Sequence, residues 1–174
     1  MEISMRQWQS SDAEALTNII NNTKILNNLR DGIPYPYTIE NAKEFIAQTL
    51  NAEKNSQYAW AVLANGKVIG SIGVFRKDNI HYRTAELGYY IAEGYWGMGI
   101  MTSVLKNVCK FIFENTDIIR IFAEPFAHNT ASCRALEKAG FALEGVLRQN
   151  AVKNGKILDM KMYSIVKTNG NNHA

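Results

Sequence analysis

The chain has 174 residues, 47% of them apolar and 20% charged, with a formal net charge of +3. That length allows one domain with its own core, and the charge is too small to argue for a nucleic-acid partner. No apolar run of about 18 residues marks a transmembrane helix, and the opening MEISMRQW carries no signal-peptide pattern. Cys109 and Cys133 fall inside helical patterns and read as packed thiols rather than a disulfide. With the scattered histidines they give no metal-ligand spacing. The expectation is a cytoplasmic protein with no metal, no membrane and no direct nucleic-acid partner.

In chain order, Glu2 to Trp8 reads as a first strand. Ser11-Asp12-Ala13-Glu14 has the S-x-x-E form of a capping box and predicts a helix with Leu16, Ile19 and Ile20 inward. Asn21 to Thr38 is loop-rich, with a short helix at Lys24 to Leu29 and breakers at Gly32, Pro34 and Pro36. Its aromatics Tyr35 and Tyr37 are candidates to line a substrate site, with packing against the core as the plainer use. Thr38 can cap a helix running to about Ala52.

The period then changes to two. Tyr58, Trp60 and Val62 alternate, Asn65-Gly66 supplies a type I′ turn, and Val68 to Phe75 returns. A polar loop from Asp78 to Arg83 leads into a strand from Thr84 to Ala92. Apolar residues at Ile100, Met101, Val104, Leu105, Val108 and Ile112 predict a helix from about Gly97 to Asn115. Ile118 to Glu124 is a short strand, Asn129 to Ala139 a helix stopped by Gly140, and Phe141 to Val166 a hairpin turning at Asn154-Gly155. The order predicts one mixed α/β domain over 1–167 and a disordered polar tail over 168–174.

The informative stretch is Gly94-Tyr95-Trp96-Gly97-Met98-Gly99-Ile100-Met101-Thr102, between a strand and a helix start. Such a turn aims backbone N–H groups at the positive end of a helix dipole, a geometry that binds phosphate without a basic side chain. Glycines at 97 and 99 permit positive φ and close approach of a ligand. A plain tight connection would use the same residues. The pattern is neither a P-loop nor a dinucleotide fingerprint, since no G-K-[ST] follows and Thr102 stands where a third glycine would be.

Three stretches in register resemble the GNAT N-acetyltransferase superfamily, and more closely its Rim-type branch, whose named members acetylate ribosomal-protein N-termini. They are ELGYYI followed by GYWGMGIMT; HNTASCRALEKAGF at 128–141; and ALEGVLRQ at 142–149, then NGK, then LDMKMYS at 158–164. The resemblance spans about Ile3 to Val166. It implies a mostly antiparallel sheet of about 6–7 strands, splayed at the cofactor site and flanked by about four helices. It implies acetyl-CoA as cosubstrate, with the backbone of Trp96, Gly97, Met98, Gly99, Ile100, Met101 and Thr102 cradling the pyrophosphate. Tyr90, Ile91 and Ala92 would pair with the pantetheine arm, Asn129 would hydrogen-bond the cofactor, and Ser132 would lie near the thioester sulfur. Asn129 is also a good N-cap, and Ser132 is tolerated in a first helical turn.

The sequence departs from the family at three places. Leu136 holds the position where many GNAT enzymes carry a tyrosine as general acid. Ala151 stands where at least some Rim-type enzymes place a basic glutamate. Met101 replaces the usual glycine or alanine of the loop. The resemblance implies Ser132, the branch's usual candidate, as the acid and Glu86, on the strand where many GNAT enzymes carry a glutamate, as the base, with Asp159 as runner-up and a solvated or salt-bridged strand residue as the plain reading of Glu86. The implied activity is transfer of an acetyl group to a primary amine, a protein or peptide N-terminus such as that of a ribosomal protein. The alternatives are a small amine, polyamine or aminoglycoside, or a non-catalytic acyl-CoA-binding module. A homodimer is a further open expectation.

Overall fold

The computed structural model describes residues 1–168. Strand β1 (Ile3–Arg6) is followed by a turn of 3-10 helix at Ser10–Asp12, then helices α1 (Ala13–Ile20), α2 (Thr23–Leu26) and α3 (Ile39–Leu50). A meander of β2 (Gln57–Ala64), β3 (Lys67–Arg76) and β4 (Thr84–Ile91) leads through a short 3-10 turn to α4 (Ile100–Asn115). Then come β5 (Arg120–Ala123), α5 (Thr130–Ala139), β6 (Ala142–Lys153) and β7 (Lys156–Val166). The sheet order is β1-β2-β3-β4-β5-β7-β6, with β4 and β5 as its parallel pair. Among the described residues five helices stand where about four were expected, because α2 is a separate single turn. Apart from Thr168, the predicted disordered tail lies outside the described residues.

Strand alternation divides the core between the two faces of the sheet. Val62 and Ala64 of β2 join Ile72, Leu87, Leu105, Ile112 and Leu136 on the face covered by α4 and α5. Ala61 and Leu63 point the other way and meet Trp8, Leu16, Ile20 and Ile46 under α1 and α3. The predicted stripe of α4 is buried throughout, and Met101 packs into it at 8% exposure, as its size demands. The hairpin turns adopt the φ > 0 pairs that Asn-Gly favours, at Asn65 (φ 47), Gly66 (φ 78), Asn154 (φ 51) and Gly155 (φ 73). Thr38 caps α3 by accepting from Asn41 N at 3.2 Å.

The capping box predicted at Ser11–Glu14 does not form. Asp12 takes the role instead. Its carboxylate accepts from Gln9 N at 2.9 Å and from both terminal nitrogens of Arg6 at 2.7 and 2.8 Å. The guanidinium outcompetes the local pattern because a charge-assisted bidentate pair is stronger than a neutral cap.

The splay that the family resemblance implies has a visible cause. β4 and β5 pair at Thr84↔Arg120, Ala85↔Ile121 and Glu86↔Phe122, and then part. Beyond β5 the chain is stitched to β7: Lys161 N donates to Pro125 O at 3.0 Å and Ala127 N to Asp159 O at 2.9 Å. Phe126 bridges Met160. The C-terminal half of β4 is thereby left without a β5 partner.

Candidate active site

A cavity of about 940 Å³ fills the gap where β4 and β5 part. Its walls come from the end of β4, the glycine turn, the first turns of α4 and α5, and the segment from Lys24 to Arg30.

At one end lies the glycine turn. Gly97 (φ 75) and Gly99 (φ 73) are both left-handed, and Gly99 is the N-cap of α4. A Cβ built on either would meet nothing within 4 Å, so the space beside this backbone is open. The first N–H of the helix with a backbone partner is that of Ser103, which donates to Gly99 O at 3.3 Å. The N–H groups of Ile100, Met101 and Thr102 precede it at the positive pole of a 16-residue helix. The Trp96 indole donates to Ile91 O at 2.8 Å and clasps the turn to the end of β4. Glu93, just before the turn, accepts from Asn22 Nδ2 at 2.8 Å and from Lys24 Nζ, which holds α2 over the loop. Lys24, Arg134 and Lys138 also line the cavity and add positive charge to it.

In the middle, Asn129 caps α5 through Oδ1, which accepts from Ser132 N at 3.2 Å. The amide NH₂ is left as the group that could meet a ligand. Ser132 lines the cavity, and its Oγ lies 2.7 Å from the phenol oxygen of Tyr89. Burial pushes the Tyr89 phenol up to about 12, so it stays protonated at neutral pH. Tyr89 is not among the residues the sequence motifs single out. Alternation along β4 was the available signal, since it puts Tyr89 on the face of Leu87 and Ile91, toward α4 and α5. Leu136 is fully buried in the core, so no hydroxyl reaches the site from that position.

At the other end is a charge cluster. Arg30 Nη2 lies 2.5 Å from Glu86 Oε1 and 3.1 Å from Glu124 Oε2, and Lys77 Nζ lies 3.9 Å from Glu86 Oε2. The two carboxylate side chains are 20% and 19% exposed, and Arg30 is 57% exposed. Glu86 is thus both a cavity residue and a salt-bridged one. Arg30 and Glu124 come from distant parts of the chain and carried no local signal.

Of the expected site residues, Tyr90, Ile91, Trp96, Gly97, Gly99, Ile100, Met101, Thr102, Asn129, Glu86 and Ser132 line this cavity together. Five other expected residues lie outside this lining, and the expectation is corrected for all of them except Met98. Ala92 is outside the lining and uses both backbone groups within the fold, donating to Ile69 O at 2.7 Å and accepting from Tyr95 N at 2.9 Å. The Met98 side chain is 58% exposed, which leaves the part expected of its backbone unaffected. Tyr37 is 8% exposed in the core beneath α1 and α3, and Tyr35 is 63% exposed outside the lining. Asp159 is likewise outside, its carboxylate accepting from Gln149 N at 2.8 Å to brace the hairpin. Among the described residues no cluster suits a metal, and both cysteines are buried and free.

A slot with an anion cradle at one end, an open strand edge along its length and a serine hydroxyl beside that edge fits acetyl-CoA. The cradle would take the pyrophosphate, and the edge would take the extended, amide-bearing pantetheine arm. Comparison with known proteins gives the same direction. The model of the "Acetyltransferase (GNAT) domain" family matches residues 2–142. A Bacillus subtilis relative, the uncharacterized N-acetyltransferase YoaA, is 35% identical over 94% of this chain and 92% of its own. Two solved structures align closely. RimL, a ribosomal L7/L12 α-N-protein acetyltransferase in complex with coenzyme A, has a TM-score of 0.84 at 22% identity, covering 94% and 93% of the two chains. The spermidine N-acetyltransferase of Vibrio cholerae, in complex with CoA and spermine, has a TM-score of 0.79 at 22% identity, covering 94% and 95%.

Proposed function

This chain belongs to the GNAT acetyltransferase family and is an acetyl-CoA-dependent N-acetyltransferase; from that premise we propose that its acceptor is the α-amine of a protein or peptide N-terminus. The backbone from Trp96 to Thr102 holds the pyrophosphate, with Lys24, Arg134 and Lys138 adding positive charge. Tyr90 and Ile91 flank the pantetheine arm, and Asn129 meets it through its amide. Bound there, acetyl-CoA supplies an activated acyl group on sulfur. Ser132 donates a proton to the leaving sulfur, and Glu86 orients the incoming amine and accepts its proton when Arg30 gives way.

The observation that carries the choice of acceptor is the charge cluster. Glu86 and Glu124 are already matched by Arg30 and Lys77, so no free acidic well waits for a polycation. With both carboxylates occupied in these ion pairs, an amine that arrives already neutral is favoured. An α-amino group, with a pKa near 8, is about one-tenth neutral at pH 7; a lysine-type amine near 10.4 is neutral at well under ~0.1%. That gap is worth about 3 kcal/mol when the enzyme cannot strip the proton. Both a protein N-terminal and a spermidine acetyltransferase share this fold, so the fold itself does not choose between them.

The test is CoA release with a peptide N-terminus, spermidine and an aminoglycoside as competing acceptors at pH 7. The peptide is expected to have the highest kcat/KM. A polyamine or aminoglycoside ahead by tenfold or more would overturn the choice of acceptor.

A further inference from the structure

We propose that Tyr89 is a positioning residue for acetyl transfer: its phenol donates a hydrogen bond into Ser132 Oγ and leaves the serine's own hydrogen free for the departing sulfur. The inference rests on the reading of Ser132 as proton donor. Tyr89 Oη lies 2.7 Å from Ser132 Oγ and 3.3 Å from Ser132 O. Both side chains line the cavity, Tyr89 from β4 and Ser132 from the first turn of α5, which are 43 residues apart in sequence. The pair links the half of β4 that lacks a β5 partner to α5.

Chemistry explains why a lone serine needs this partner. A serine in a helix tends to turn its hydrogen back onto a carbonyl of the preceding turn, which withdraws it from a ligand. It is also a weak acid, and loss of its hydrogen places charge on Oγ. A buried phenol that remains protonated near neutral pH is a standing donor to that oxygen. Two hydroxyls in series polarise one another, so the outer one becomes the better donor. Leu136 removes the phenol that the helix would otherwise carry, and Tyr89 brings one to the same helix from the sheet.

The step balances without a further reactant. The amine lone pair forms the C–N bond, and the C–S bond breaks with its electron pair going to sulfur. Ser132 gives its hydroxyl hydrogen to the sulfur. The nitrogen's surplus proton passes to Glu86 and from there to solvent, and Ser132 takes one back from solvent while Tyr89 keeps its own. The products are an amide and a free thiol.

Two readouts test this. One is kcat and KM for Tyr89→Phe, Ser132→Ala and the double variant, measured with chemistry rate-limiting. The other is the pKa of the CoA thiol when bound to each variant without acceptor, followed by thiolate absorbance. Tyr89→Phe keeps the ring and its packing. It is expected to lower kcat about tenfold with KM for acetyl-CoA within about twofold. It should also raise the bound-thiol pKa toward that of Ser132→Ala, and the double variant should be no slower than Ser132→Ala alone. Unchanged kcat and thiol pKa in Tyr89→Phe, beside a clear loss in Ser132→Ala, would overturn the role of Tyr89 and leave Ser132 standing. Multiplying effects in the double variant would also overturn it. If Ser132→Ala itself changed neither quantity, the proton-donor reading beneath it would fall.

Discussion

Replacing Gly99 with valine should separate backbone strain from ligand exclusion. Gly99 sits at φ 73 with nothing within 4 Å of a built Cβ, so the added side chain meets no neighbour in the fold. The intrinsic penalty is the left-handed conformation, about 1–2 kcal/mol for a residue with a Cβ, and valine lies at the high end because it is β-branched. In a domain of this size that lowers Tm by roughly 2–8 °C. The space beside Gly99 is where a phosphate must come to reach the N–H groups of the first turn of α4. Losing two charge-assisted hydrogen bonds at about 1.5–3 kcal/mol each removes about 3–6 kcal/mol of binding, or roughly 10²–10⁴ in Kd. Gly155 is an internal control: it has the same φ of 73 and nothing within 4 Å, but it lies in the turn between β6 and β7. Calorimetric titration with CoA, together with thermal unfolding of the free protein, reads both terms. Gly155→Val should lose comparable stability and keep its affinity, whereas Gly99→Val should lose both. Equal affinity in the two variants would refute the phosphate cradle.

Glu86→Gln should lower kcat/KM for the amine by about 10² and leave CoA affinity within about twofold, because the carboxylate lies at the acceptor end. Unchanged kinetics across a pH series would make Glu86 a purely structural partner of Arg30. Leu136→Tyr should not restore a general acid. Its position is fully buried, and overpacking should cost about 1–3 kcal/mol in urea unfolding with no gain in kcat. Asp12→Asn should destabilise by about 1–3 kcal/mol at pH 7, since it breaks a bidentate pair at a carboxylate that is 5% exposed. The Arg6 guanidinium holds the Asp12 carboxyl below its ordinary value. A depressed folded-state pKa gives stability that is full above the unfolded value near 3.9 and lost as pH falls through the folded one. The gap between wild type and Asp12→Asn should therefore be constant above about pH 5 and shrink below about pH 4; a gap that grows on acidification would contradict this.

Features governed by neighbours in the chain could be read before the fold was seen. Asn65-Gly66, Asn154-Gly155, the Thr38 cap and the Gly97/Gly99 turn each require a backbone conformation that few residues adopt, so local composition reports them. The α4 stripe is similar, since periodicity reports which face is buried. Features made by contacts across the fold could not be read this way. Asp12 looked like the second residue of a capping box until Arg6 reached it from β1. Tyr35 and Tyr37 read alike in the sequence, as candidates for a substrate site or for core packing, and Asn21, which accepts from Tyr37 N at 2.9 Å and donates to Tyr37 O at 2.7 Å, fixes the second of them inward. A salt bridge was one reading of Glu86, but its partner Arg30, 56 residues away in the chain, could not be named from the sequence. The Tyr89–Ser132 contact joins a strand and a helix 43 residues apart, so no local pattern reports it.

The most direct measurement is intramolecular. A peptide carrying one free N-terminal α-amine and one internal lysine is incubated with the enzyme and acetyl-CoA at pH 7, and the acetyl group is located by fragmentation mass spectrometry. Both amines are then present at the same concentration on the same molecule, so only the site's chemistry distinguishes them. Acetylation of the α-amine, at least about tenfold ahead of the lysine, is the predicted result and follows from the larger neutral fraction of the α-amine. Acetyl groups predominantly on the lysine would contradict it, and would mean that the cavity contains a base strong enough to strip an ordinary ammonium.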